Sequence, residues 1–328
     1  MHIAVTGASG FVGPRLIAAL ARAGHTGYAV SRREITGLPA GWIWLSRARA
    51  IDEEVSPFAG GNVPEWLVHL EVKQHVDSPA DADRKEFHAV NVEGTRRWLD
   101  WCTCLGVNGF AFFSTIKAVG ESLEIQDENA TSSPSTPYGA SKREAEGLVS
   151  TWAAAGTSRR ALILRPAVIY GPGNRANVFS MVRAIDRGIF FLVGRNGNVK
   201  SLVAIANVVA AVAHLITHTQ SRAAVYYLVD RTSYPVREIA AMVTANLGGS
   251  SAARSIPRSV AWVAAEFGEA LRRMTGRSLP LTRSRLKALN ETTHFSCQKL
   301  MDTGFVHPQS TEEGLSEMVE WYNRIKTQ

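Results

Sequence analysis

Tyr138 and Lys142 stand four residues apart in PYGASKREAE (137–146), a spacing that sets both on one face of a helix. A phenol titrates near 10 and works as an acid or base near neutrality if a neighbouring ammonium stabilises its phenolate. The spacing alone is a weak signal, because Tyr322 and Lys326 repeat it in EWYNRIKTQ at the C-terminal end. Context separates the two pairs. Tyr138 follows a Pro-rich loop and comes 24 residues after Ser114, in FFSTIKAVG, which ends an apolar run with two hydroxyls, Ser114 and Thr115. A hydroxyl there can bond a substrate carbonyl beside the phenol. The second pair reads as a frayed amphipathic helix.

The other chemistry-bearing stretch is TGASGFVG, with Gly7, Gly10 and Gly13 between the first apolar run and the first helix candidate. Such a turn lets backbone approach a pyrophosphate, and the helix N-terminus offers N–H groups and a positive dipole. Pro14 suits a first helical turn, where its missing N–H costs little.

These residues need a frame. HIAVTG (2–7), TGYAV (26–30), EWLVHL (65–70), GFAFFS (109–114), ALILRP (161–166) and AVYYLV (224–229) read as buried strands. Helix candidates at 14–24, 91–106, 139–156 and 206–219 lie between them. Strand–helix alternation predicts an α/β fold: a doubly wound parallel sheet with helices on both faces and a ligand crevice at the strands' carboxyl ends. The pattern changes after Gly171, and residues 231–328 are expected to hold helices without regular strands. The expected division is 1–171 with 201–230 as a dinucleotide-binding domain, and 172–200 with 231–328 as a smaller, mainly helical cap.

Composition narrows the class. Of 328 residues, 45% are apolar and 20% charged, with 36 basic and 29 acidic side chains giving a net charge of +7. Only eight of the basic residues are lysines, and arginine favours bidentate contact with phosphates and carboxylates. Such a balance suits nucleic acid, a membrane surface or anionic small molecules, and because the charges are scattered rather than gathered in a tail, nucleic acid is the weakest of the three. Three cysteines, Cys102, Cys104 and Cys297, make neither a disulfide framework nor a zinc site, and His69 and His75 lack metal partners. No metal is expected. No leader precedes the first strand and no run approaches the ~18 apolar residues of a membrane span, so a cytoplasmic setting without membrane insertion is expected.

TGASGFVG, NVEGT (91–95), STIKAVGE (114–121), PYGASKREAE, RPAVIYGPGN (165–174) and DTGFVHPQSTEEGLSEMVEWY (302–322) follow one another in order. With that series, the chain resembles the extended short-chain dehydrogenase/reductases of the NAD-dependent epimerase/dehydratase family, which act mainly on nucleotide sugars. The resemblance implies a Rossmann-type domain with a sugar-nucleotide cap. It implies Tyr138 as catalytic acid/base, Lys142 lowering its pKa and binding the nicotinamide ribose, and Thr115 bonding the substrate, with Ser114 the second candidate. Gly7, Gly10, Phe11, Val12, Gly13, Leu70, Pro166 and Val168 fall where the family holds its cofactor. Asn177 and Lys200 match contacts to the substrate's diphosphate or nucleotide, and Asn91 a structural asparagine. The resemblance further implies a UDP-linked substrate and a homodimer formed through two helices of the first domain.

The departures refine this. Sugar dehydratases of the family follow the threonine with Asp-Glu, whereas Ile116 and Lys117 stand here, which argues against dehydration. STIKAVGE instead resembles a branch of 4-epimerases and 4-keto-reductases of UDP-N-acetyl sugars in surface-polysaccharide pathways. After the second strand, an acid would hold the ribose 2′-hydroxyl of NAD; Ser31, Arg32 and Arg33 stand there, fit to bind a 2′-phosphate, and Glu34 comes late. NADP is therefore favoured over NAD. A reductase consumes and exchanges NADPH, so a 4-keto-sugar reductase leads, with a 4-epimerase that recycles tightly bound NAD as the alternative. Glu71 and Val72 replace small residues against the cofactor, and Asp52 is a poor substitute for an acid after the third strand. A catalytically silent cofactor-binding homologue is the second alternative, and a non-sugar carbonyl substrate remains open. In 258–274, Val260, Val263, Phe267, Leu271 and Met274 share one helical face, for packing on the cap or, as the other reading, docking on a membrane surface.

Overall fold

The computed structural model describes residues 1–51, 62–74, 80–194, 197–219, 221–249, 254–257, 259–263, 266 and 291–327. Five of the six expected runs become β1 (His2–Thr6), β2 (Thr26–Ser31), β4 (Trp66–His69), β5 (Gly109–Phe113) and β6 (Arg160–Pro166), and the unannounced β3 (Trp42–Ser46) falls between β2 and β4. Then come β7 (Val168–Tyr170), β8 (Phe191–Val193), β9 (Val199–Lys200), β10 (Leu202–Ala204), β11 (Ala223–Leu228), β12 (Tyr234–Pro235) and β13 (Arg254–Ile256). One all-parallel sheet runs β11-β6-β5-β4-β1-β2-β3. A parallel sheet is covered on both faces, so its strands read as continuous apolar runs; every residue of β5 is buried.

The helices are α1 (Gly13–Arg22), α2 (Arg47–Ile51), α3 (Ala80–Phe87), α4 (Gly94–Leu105), α5 (Pro137–Ala154), α6 (Asn177–Asp186), α7 (Ile205–His218) and α8 (Val236–Asn246), with a π-helical turn at His88–Glu93. Leu16 and Leu20 of α1 and Val208 and Val212 of α7 pack on one face of the sheet. Trp98 of α4 and Val149 and Trp152 of α5 pack on the other. Strand order reverses at β1, which lies between β2 and β4, and the crevice above that switch point is where such sheets take ligands.

Three expectations need correction. Residues 231–328 do contain strands: β12 pairs with β9 and β13 with β8. Each is two or three residues long and borrows its partner from 191–200, too short for a periodicity to show. The C-terminal helix, Thr311–Lys326, is not frayed. Ser310 and Glu313 close a capping box at its start, and near its end Tyr322 is buried and donates to Asp186, which Lys326 also grips. At 259–263, Ala261 packs against Val193 while Val260 and Val263 are exposed, so the expected face is not the one that packs. Phe267, Leu271 and Met274, like Asp52 and His75, lie outside the described residues.

A buried carboxylate ties the chain's later segments together. Asp230 accepts from Tyr170 Oη, Ala204 N, Asn207 Nδ2 and Thr311 Oγ1, all between 2.7 and 3.1 Å. Among the described residues no helix is long and apolar enough to cross a membrane, and no three His, Cys, Asp or Glu gather as a metal site. Cys102 and Cys297 are buried, whereas Cys104 is exposed.

Candidate active site

The glycine turn is dictated by contact. A Cβ on Gly13 would lie 2.3 Å from the carbonyl oxygen of Ala8, and one on Gly10 3.1 Å from that of Gly7. Gly7 takes φ +64°, where a side chain is strained, and its Cβ would meet the Glu71 nitrogen at 3.0 Å. The turn therefore sits flush on the end of β4 beside Leu70. Arg15 clasps it from α1: its guanidinium lies over the Phe11 ring and donates to Phe11 O and, at 2.5 Å, to Pro172 O. That clasp joins the turn to the loop after β7, a tie no local motif announces. Val12 directly precedes α1, Pro166 is buried at the end of β6, and Val168 opens β7.

Tyr138 and Thr115 meet because α5 docks end-on against the turn after β5. Thr136 caps α5, its hydroxyl accepting from Gly139 N at 3.0 Å, and Pro137 fills the first turn. The helix phase then puts Tyr138 and Lys142 one turn apart. Thr115 caps the short 3₁₀ turn Ile116–Ala118, accepting from Lys117 N. The side chains of Gln74 and Thr115 lie near the Tyr138 hydroxyl and favour its ionised form. Burial pushes the phenol up to about 12, those two side chains opposing it, so the proton stays on oxygen at neutral pH. Gln74 is a site residue that the sequence did not mark; only the fold of 70–74 brings it here. Asn91 makes that fold, bonding both backbone atoms of Lys73 and donating to Ser141 Oγ.

Lys142 is 1% exposed, and its Nζ has no hydrogen-bond partner among the described residues. It lies 4.0 Å over the Phe112 ring. Burial pulls its pKa down to about 7 despite the nearby Glu146. A buried amine without a partner among the described residues fits a ligand that brings hydroxyl oxygens, as a dinucleotide ribose does. These residues fit a nicotinamide dinucleotide, with its pyrophosphate on the Gly7–Gly13 turn and a ribose at Lys142.

Other carried-over residues are placed differently. Ser114 donates to Glu146 Oε1 at 2.5 Å, inside a buried network in which Arg165 grips both Glu146 oxygens at 2.8 and 2.7 Å. Burial works against that carboxylate, but the Arg165 guanidinium outweighs it and holds Glu146 below its usual range. Ser114 thus serves the core, and Thr115 alone of the two faces Tyr138. Ser31 donates to Arg33 O and accepts from Trp44 Nε1, so its hydroxyl serves the turn, while Arg32 and Arg33 are exposed. Glu71 points away from the glycine turn: Arg47 Nε and Trp98 Nε1 take its two oxygens at 2.5 and 2.9 Å. Lys200 lies within the field of Lys117, Glu121 and Glu291, and burial first lowers it to about 8. Asn177 stands exposed at the start of α6.

A family model described as NAD dependent epimerase/dehydratase family matches residues 3–228, spanning β1 through β11 and every residue of the Thr115, Tyr138 and Lys142 group. The chain belongs to that family. It is an enzyme of the extended short-chain dehydrogenase/reductase type. Among curated epimerase/dehydratase relatives, it is similar to the N-acetyl-α-D-glucosaminyl-diphospho-ditrans,octacis-undecaprenol 4-epimerase of Escherichia coli O157:H7, 29% identical over 236 residues, 72% of this chain and 71% of the relative. It is also similar to the UDP-glucose 4-epimerase of Vibrio cholerae, 30% identical over 251 residues, 73% of this chain and 74% of the relative. The solved UDP-glucose 4-epimerase of Thermotoga maritima with UDP-glucose shares the fold at TM-score 0.76 and 22% identity, over 99% of this chain and all of that one.

Proposed function

We propose that this family member works at C4 of a diphosphate-linked sugar, with NADPH-dependent reduction of a 4-keto group as its leading activity. The observation that carries this is the buried Tyr138 hydroxyl, kept protonated by burial with Thr115 near it. A proton donor in that state suits carbonyl reduction, where the oxygen must receive a proton. When bound, the dinucleotide supplies the hydride. Thr115 bonds the substrate oxygen and fixes it beside the phenol; Tyr138 gives that oxygen its proton. Lys142 holds the ribose hydroxyls and, when charged, eases the phenol's loss of a proton.

Exposed Arg32 and Arg33 at the end of β2, with no acid at that position, support the 2′-phosphorylated cofactor. Ile116 and Lys117 in place of a carboxylate pair argue against dehydration. Segments 172–200 and 231–328 supply the cap, and Lys200 and Asn177 are its candidate contacts to the substrate's diphosphate or nucleotide. The UDP carrier and N-acetyl sugar follow from the sequence resemblance, supported by the sugar-diphosphate relatives.

A second reading, a 4-epimerase recycling bound NAD, is favoured by the 4-epimerase activities of the Escherichia coli and Vibrio cholerae relatives. One pair of assays separates them. Oxidation of NADPH on adding a UDP-linked 4-keto N-acetyl sugar supports the reductase. Conversion of UDP-N-acetylglucosamine to its 4-epimer without added cofactor supports the epimerase instead.

A further inference from the structure

β3 and β4 flank the pair between them, in the order β4-β1-β2-β3. Three strand spacings separate their carboxyl ends by about 14 Å. Arg47 begins the segment after β3 and Glu71 lies two residues past β4, yet their side chains meet, Nε to Oε1, at 2.5 Å. The ion pair therefore bridges the carboxyl ends of β1 and β2, where the adenosine half of a dinucleotide lies in this kind of sheet.

Glu71 is fully used. One oxygen takes Arg47 Nε and the other takes Trp98 Nε1 on α4. Arg47, by contrast, spends only Nε; its two terminal nitrogens have no partner among the described residues, and the side chain is 25% exposed. Register brings a further cation alongside. Ser31 pairs with Ser46, so Arg32 and Arg47, each the next residue, emerge side by side, and Arg33 follows. Arg32 and Arg33 are exposed, Glu34 is the one free carboxylate in the turn, and Glu71 is held back by its two donors.

We propose that Arg47 is the residue that selects the cofactor, its terminal nitrogens joining Arg32 and Arg33 to bind a phosphate monoester on the adenosine ribose, with Glu71 and Trp98 as positioning residues. This rests on the dinucleotide reading of the Gly7–Gly13 turn. A guanidinium offers paired donors in a fixed plane that matches phosphate, and a carboxylate at Nε fixes that plane without consuming the donors that face the ligand. Glu71 thereby becomes part of the cofactor site while pointing away from the cofactor.

The test is a fluorescence titration of the full chain with NADPH and NADH, with competition by 2′,5′-ADP and 5′-ADP. Arg47→Gln is expected to raise the NADPH Kd at least tenfold and leave the NADH Kd within about threefold, and 2′,5′-ADP should lose its advantage over 5′-ADP. Arg47→Lys should restore part of the NADPH affinity. Glu71→Gln should weaken NADPH by less than Arg47→Gln does, with melting temperatures recorded for each variant. Equal loss of both dinucleotides in Arg47→Gln, or no loss of either, overturns the proposal while the dinucleotide reading stands. Failure of the wild-type chain to bind any of the four probes overturns the dinucleotide reading, and the proposal with it.

Discussion

Gly139 has no side chain at the point where α5 abuts Lys117: a Cβ there would lie 2.2 Å from the Lys117 carbonyl oxygen. This close approach brings the α5 terminus carrying Tyr138 against the turn carrying Thr115. Gly139→Ala should push the helix end away, costing about 1–3 kcal/mol as overpacking does. The activity loss should exceed what the stability loss explains, at least tenfold in kcat at a temperature where the variant is folded. A variant with full kcat would show that the approach does not set the geometry.

Tyr138, Thr115 and Ser114 should separate cleanly. Tyr138→Phe removes the proton donor and should lower kcat by about 10²–10⁴-fold with dinucleotide affinity unchanged. Thr115→Ala should cost on the order of 10²-fold, as loss of a donor to a developing oxyanion does. Ser114→Ala should keep kcat within about threefold and instead lower unfolding stability by about 1.5–3 kcal/mol, since its hydroxyl serves the Glu146 carboxylate. A large kcat loss in Ser114→Ala with normal stability would return that residue to the substrate.

Lys142 gives the unliganded enzyme a pH signature. Its folded pKa, about 7, lies far below the ordinary lysine value of 10.5. Between those values the unfolded chain binds the proton and the folded chain does not, so this group makes stability rise with pH over that window. Its contribution is fully present above about 10.5 and lost as pH falls through about 7. Lys142→Met should therefore be the more stable protein at pH 6, and its advantage should shrink toward pH 10. Parallel urea melts at both ends decide it; a constant difference would mean that Lys142 is charged in the folded state throughout.

Tyr322→Phe tests the pair with identical spacing. Its hydroxyl is spent on Asp186, so activity should be unchanged and stability should fall by about 1 kcal/mol. A kcat effect at this position would place the C-terminal helix in the chemistry.

Much of this was legible in the linear chain because it depends on near neighbours. Strand–turn–helix order fixed the glycine turn between β1 and α1, and a four-residue spacing put Tyr138 and Lys142 on one face of α5. Local patterns could not show what Tyr322 and Lys326 meet, because Asp186 is 136 residues from Tyr322. Nor could they show the partners of β8 and β9, whose pairs are shorter than any periodicity.

The sequence by itself determined the parallel sheet and the family, and it marked Thr115, Tyr138 and Lys142 as the candidate triplet, since period, spacing and ordered motifs are properties of a line. The tertiary structure alone decided how those side chains are used. It sent Ser114 to Glu146 and left Thr115 to Tyr138, although the two hydroxyls are adjacent, because successive residues at the end of a strand point to opposite sides. It added Gln74, and it turned Glu71 from an obstacle into the anchor of Arg47, because a carboxylate's effect depends on which donors reach it across the ends of the strands.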